Sequence, residues 1–216
     1  MDAILFIHHL SLNESTTRTN LALVRAMNPD CEVFTLSFDK NRETPKWQWQ
    51  NCDVLVYEWF DQTHPKHDRY FILEWDCFCT QSMRAFYGGS VDYNAAGALV
   101  IHPWSDETIL TQHGEPQTMR DWHWFTHNTS AELYPYLRGI TPICGSMFSH
   151  DCLFNMVQLW KTNLSFDRLF SECRMGTLAA MAGYEPRQIR QDAPHFLHSG
   201  DVEIDRGPGI YHRVRL

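Results

Sequence analysis

Glu74 and Asp76 stand two residues apart, directly after the run Tyr70 to Leu73 (Tyr-Phe-Ile-Leu) within the stretch Arg69 to Cys79. The run is continuously apolar, aromatic and β-branched, the composition of a central strand buried on both faces in a parallel sheet covered by helices. Side chains alternate along a strand, so a spacing of two places both carboxylates on one side where the strand runs out. In open α/β sheets that edge is where ligands sit. Paired oxygen ligands suit a hard divalent cation such as Mg2+ or Mn2+, which takes one or two carboxylates from protein and leaves positions for phosphate oxygens. The plainer reading is a pair of solvated acids at a strand end.

Other residue types able to do chemistry lie further on. Phe170 to Ala182 has helical spacing, with Phe170, Cys173, Thr177 and Met181 on one stripe and Gly183 as the stop. Glu172 falls off that stripe, although a first-turn glutamate is favoured by the helix dipole with no function at all. His195 and His198 lie in Pro194 to Asp201, and imidazole matches Mn2+ better than Mg2+. Trp122-His123-Trp124-Phe125 offers indoles suited to the apolar face of a sugar or, more plainly, to a core. His123 and His127 are spaced as in zinc metalloproteases but lack the intervening glutamate, which sets zinc hydrolysis aside.

The elements that must hold these residues follow in order. Ala3 to Ile7 reads as a buried strand, and Thr17 to Met27 as a helix with Leu21, Val24 and Met27 on one face. Val33 to Leu36 and Asp53 to Tyr57 read as two more strands ahead of Tyr70. Gly97 to His102 reads as another strand. Ile143 to His150 leads into an amphipathic helix with Ser149 as N-cap and Leu153, Met156, Val157 and Trp160 on one face. No glycine-rich phosphate loop follows the first strand, so a metal would have to hold any diphosphate.

With 216 residues and 44% hydrophobic content the chain fits one large domain. The net charge of -8 argues against a nucleic-acid partner, which normally requires a basic face. Seven cysteines, an odd number at irregular spacings and with no secretion signal ahead of them, point to a soluble protein of a reducing cytoplasm. No run approaches the ~20 apolar residues of a membrane span.

An apolar strand followed by Glu-x-Asp resembles the acidic metal motif of GT-A glycosyltransferases, enzymes that use nucleotide sugars and whose usual motif is Asp-x-Asp. Glu74 in the first place departs from that form and leaves Asp76 as the safer ligand. The order of elements is similar over most of the chain, and compact domains of this kind occur in bacteria and large DNA viruses. The resemblance implies an α/β fold: a single GT-A-like domain over 1–216, its central, mostly parallel twisted sheet flanked by helices. Residues 1–80 would form the nucleotide-binding half, and 81–216 the acceptor and donor-sugar half with a C-terminal metal-ligand tail.

It further implies Mn2+, with Mg2+ as substitute, on Asp76, Glu74 and His198 or His195. A nucleoside diphosphate sugar, by default a UDP-sugar, would contact His8, His9, Arg18, Tyr57, Trp59 and Trp75. Gly145, Ser146, Trp122 and Trp124 would meet the donor sugar or a glycan or glycoprotein acceptor, and Glu172, or more weakly Asp92, would act as base. Two other functions use the same residues: a metal-dependent nucleotidyltransferase or phosphohydrolase, and a non-catalytic carbohydrate-binding module.

Overall fold

β1 (Asp2–His8) is the strand on which the sheet is built, and Ala3 to Phe6 along it are wholly buried. The computed structural model describes residues 1–8, 14–38, 44–89, 92–95, 108–110, 116–118, 131–138, 143–162, 166, 169–185, 187–188, 196–198 and 209–212. After β1 come α1 (Glu14–Met27), β2 (Cys31–Ser37), α2 (Pro45–Gln50), α3 (Cys52–Thr63), β3 (Arg69–Glu74), β4 (Phe78–Cys79), α4 (Met83–Tyr87) and β5 (Tyr93–Ala95). Then follow β6 (Thr108–Leu110), β7 (Pro116–Thr118), a 3-10 helix (Ala131–Tyr136), β8 (Ser146–Ser149) and α5 (His150–Thr162). The last elements are α6 (Ser171–Met181), β9 (Arg187–Gln188), β10 (Phe196–His198) and β11 (Ile210–His212). The expected strand at Gly97 to His102 lies outside the described residues.

The main sheet has the order β2-β1-β3-β8-β5-β9, and only β8 runs against the rest. This is the α/β fold expected from the sequence, with a mostly parallel sheet flanked by helices. Alternation along the strands feeds two cores. Leu5, Ile7, Tyr70, Ile72 and Phe148 pack with residues of α3, α5 and α6 on one face. Ile4, Phe6, Phe71, Leu73 and Met147 pack with Val24 of α1 and Met83 and Tyr87 of α4 on the other.

One element differs from the sequence reading: Asp53 to Tyr57 is helical, the start of α3, and not a strand. Every residue from Cys52 to Tyr57 is buried, so apolar periodicity carries no helical signature, and β-branched valines bias a local reading toward a strand. Tertiary contacts override that propensity. Arg174 of α6 donates through Nε and Nη2 to Asp53 at 2.8 and 2.5 Å, through Nη2 to Asn51 at 3.0 Å and through Nη1 to the Phe166 carbonyl at 3.1 Å. Neither partner of the ion pair is more than 1% exposed. Burial alone would lower the Arg174 pKa, but the Asp53 charge outweighs it and raises that pKa.

Removing one partner leaves an uncompensated buried charge, so Arg174→Met is expected to lower unfolding stability by about 3–5 kcal/mol in urea titrations. Replacing Asp53 by Leu in the same chain should recover much of that loss. A single-variant loss below about 1 kcal/mol would show that the pair does not hold α3 to α6.

Candidate functional site at the strand ends

Register brings the ends of β1, β2 and β3 to one edge: His8 lies opposite Ser37, and Ile7 opposite Glu74. Glu74 closes β3 and is half-buried, and Asp76 follows it at 9% exposure. A tight turn joins them, closed by Cys77 N–H donating to the Glu74 carbonyl at 2.9 Å. The turn is tied to α1 by Asn20, wholly buried, whose Nδ2 donates to the Trp75 carbonyl at 2.9 Å.

The start of α6 reaches the same place. Ser171, its first residue, lies 3.5 Å from the Cys52 thiol at the start of α3. Burial pushes the Cys52 pKa well up, and the charges of Glu74, Asp53 and Glu172 push it further. Glu74 and Glu172, a hundred residues apart in sequence, therefore bear on one thiol. Cys144 reports the other carboxylate: burial and its contact with Cys77 raise its pKa, and Glu74 and Asp76 both add to the rise. Glu74 thus acts on both thiols, Glu172 on Cys52 and Asp76 on Cys144, and all seven cysteines are free.

β3 ends at Glu74 and Asp76 lies in the turn beyond it, so strand alternation does not set their side chains on one side; their oxygens are of the type a hard cation such as Mn2+ or Mg2+ takes. Among the described residues no three His, Cys, Asp or Glu side chains come together as a cation site. Backbone register shows where a further ligand could enter. β10, β11 and β4 form a second sheet, and β4 begins two residues after Asp76. His198 pairs with His212, Tyr211 with Phe78 and Ile210 with Cys79, so one further step of the ladder sets His212 opposite Cys77. At ~4.8 Å per strand, the backbone of His198 lies about 10 Å from that level and the backbone of His212 about 5 Å. His212 was not among the sequence candidates, although Ile-Tyr-His carries a short strand signal.

Comparison with solved structures adds the fold relationship. No family model and no curated protein matches the sequence. A glycosyltransferase involved in the glycosylation of the major capsid of PBCV-1 superposes with a TM-score of 0.55 at 10% identity, over 97% of this chain and 92% of that one. The fold is shared with a glycosyltransferase. The galactosyltransferase LgtC (TM-score 0.46, 11% identity, 98% of this chain and 86% of that one) and GlyE of Streptococcus pneumoniae TIGR4 (0.46, 11%, 100% and 55%) are too distant to carry an argument.

Several sequence candidates sit elsewhere in this fold. Tyr57, assigned to a strand end beside a nucleotide, is 1% exposed inside the core, its ring 5.5 Å from Trp160. Trp59 packs on Phe34 at 4.8 Å and on Tyr70 at 6.2 Å, toward the opposite edge where β3 begins. Both positions follow from α3 being a helix that starts near Glu74 and runs away from it. Asp92 is also at the far edge: its carbonyl accepts from Ser149 N–H at 2.7 Å, and Ser149 pairs with Arg69. Five residues of strand put it about 17 Å from Glu74, too far to act on the same reacting centre. There it lines an open groove of about 490 Å3 with Lys66, Asp68, His150 and Asp151.

Gly145 has φ 79°, a conformation glycine adopts freely, and its N–H donates to the Ile72 carbonyl at 2.8 Å. Ser146, which opens β8, is wholly buried. Trp75 packs partly against the second core, and Arg18 is exposed on α1, whose Asn20 reaches the turn. His9, His195, Trp122 and Trp124 lie outside the described residues, as do the side chains of His198 and His212. No helix among the described residues is long and apolar enough to cross a membrane.

Asn20→Ala leaves the Trp75 carbonyl without its amide, and a loss of about 1–3 kcal/mol is expected in urea unfolding. An unchanged midpoint would mean that α1 does not secure the turn carrying Glu74 and Asp76.

Proposed function

We propose that this protein transfers a sugar from a nucleoside diphosphate donor, by preference a UDP-sugar, to a hydroxyl of a glycan acceptor with the help of Mn2+. The observation that carries the reading is the meeting of elements at one sheet edge, where β3 ends on Glu74 opposite Ile7 of β1 and the first residue of α6, Ser171, lies 3.5 Å from Cys52 at the start of α3; the fold shared with a glycosyltransferase supports it. Asp76 and Glu74 would hold the cation, directly or through water, with an imidazole from His198, His212 or His195. Bound there, Mn2+ or Mg2+ would neutralise the charge growing on the departing diphosphate.

Glu172 is the general base. The acceptor oxygen forms a bond to the anomeric carbon, the bond from that carbon to the diphosphate oxygen breaks, and the acceptor proton passes to the Glu172 carboxylate. Attack opposite the leaving group inverts the anomeric centre. His8, which ends β1, and Arg18, exposed on α1, would meet the nucleotide.

Thermal unfolding with UDP, GDP or CMP, each with and without Mn2+, tests this reading. A ligand at a hundred times its Kd stabilises by about 2.7 kcal/mol, and the rise in Tm is expected for UDP only when Mn2+ is present. Asp76→Asn should abolish that rise without changing Tm in the absence of ligand. Equal shifts with and without Mn2+ would contradict the metal's part. Glu172→Gln should retain the rise but reduce turnover by about 100-fold or more, whereas Asp92→Asn should leave turnover unchanged. Of His198→Ala and His212→Ala, the one that weakens the Mn2+ dependence identifies the imidazole ligand; an effect from neither would remove both.

A further inference from the structure

We propose that Asn20 is a positioning residue for the cation: through the Trp75 carbonyl it orients the peptide unit that carries Asp76. This deepens the sugar-transfer reading and rests on it. Glu74, Trp75, Asp76 and Cys77 form a four-residue turn, closed by Cys77 N–H donating to the Glu74 carbonyl at 2.9 Å. The same closing bond occurs in turns of type I and type II, which differ in how the central peptide is rotated. Here the central peptide joins Trp75 to Asp76, so the closing bond does not by itself fix it. The bond that does comes from α1, where Asn20 Nδ2 donates to the Trp75 carbonyl at 2.9 Å.

A peptide unit is planar, so the Trp75 carbonyl, the Asp76 nitrogen and the Asp76 Cα move together. Holding the oxygen sets the plane from which the Asp76 side chain departs. Among the described residues His64 is the one non-glycine residue at positive φ. The turn is therefore not of type II, which needs a positive φ at its third residue, here Asp76. Rotation of the central peptide would carry the Asp76 carboxylate to another direction.

Asn20, Val24 and Asn28 follow one another at intervals of four along α1 and its end, and all three are buried. Asn28 uses both ends of its amide: Nδ2 donates to the Val24 carbonyl at 2.8 Å, and Oδ1 accepts from Met83 N–H at 2.6 Å. Asn20 uses one. A carbonyl can only accept, so the nitrogen end must face Trp75 and the oxygen end is left over. That Oδ1 is buried and has no hydrogen-bond partner, a cost in free energy that an apolar side chain of similar shape would not carry. An amide with one end unpaired adds little to stability, and its effect is on the direction of the turn it holds.

The test uses the full chain as wild type and as Asn20→Leu, Asn20→Ala and Val24→Ala. In Asn20→Leu one unpaired oxygen, that of Trp75, replaces another, so its Tm should stay near that of the wild type. The three-bond HN–Hα coupling of Asp76, which reports its φ, is measured by NMR without nucleotide or metal and should change in both Asn20 variants. At a fixed excess of UDP, the Mn2+ concentration that gives half of the full rise in Tm should increase about tenfold or more in both, and excess Mn2+ should restore the rise. Val24→Ala removes core packing from the same helix, so it should lower Tm and leave the coupling and the Mn2+ requirement where they are. An unchanged Asp76 coupling in the Asn20 variants would overturn the proposal. An equal increase in the Mn2+ requirement of Val24→Ala would reduce the effect to lost stability and overturn it as well. If UDP with Mn2+ fails to stabilise even the wild type, the sugar-transfer reading falls and the proposal falls with it. A wild-type response with an unmoved Mn2+ requirement in the Asn20 variants removes the proposal alone.

Discussion

The Arg174–Asp53 ion pair fixes the start of α3 to the start of α6, and the geometry of the strand edge depends on it. Both charges are out of water, and the guanidinium meets its carboxylate through two donors while two further acceptors complete its shell. Such a pair is a poor source of net stability, since desolving two charges offsets most of their attraction. Its effect is on arrangement: any other packing of α6 would leave a charge buried alone. Because Glu172 lies two residues before Arg174 and Cys52 one before Asp53, the same contact sets how Glu172 stands toward the end of β3.

At that edge the chain gathers negative charge. Glu74 and Asp76 lie on a turn held from α1, and Glu172 arrives from the opposite layer of helices. A chain with a net charge of -8 repels a free nucleotide at long range, so the metal would serve both to bind the diphosphate and to stabilise it as it leaves. The groove at the other end of the strands is acidic as well, but it holds none of Glu74, Asp76 or Glu172.

The frame was legible in the sequence because local signals agreed with the fold. β1, α1, β2, β3, α5 and α6 all carry runs or periods that point the same way as their tertiary contacts. Gly183 ends α6 at φ 87°, and Ser149 accepts from Cys152 N–H as a helix cap. The Glu-x-Asp pair was legible because it ends an unmistakable buried strand. α3 was not, because burial on all sides erases amphipathic period, and the contact that decides it, Asp53 with Arg174, spans 121 residues. Tyr57, Trp59 and Asp92 were misplaced for the same reason, since nothing local says which edge of the sheet a loop or helix end will reach. His212 became visible only through its register with His198.

A crystal structure with UDP and Mn2+, with the manganese located by its anomalous scattering, tests the central claim most directly. The account predicts one manganese peak in coordination contact with Asp76 at the end of β3, with the diphosphate oxygens on its far side and Glu172 facing the position of the sugar. Manganese bound instead in the groove of Lys66, Asp92 and Asp151, or UDP bound away from β3, would contradict it.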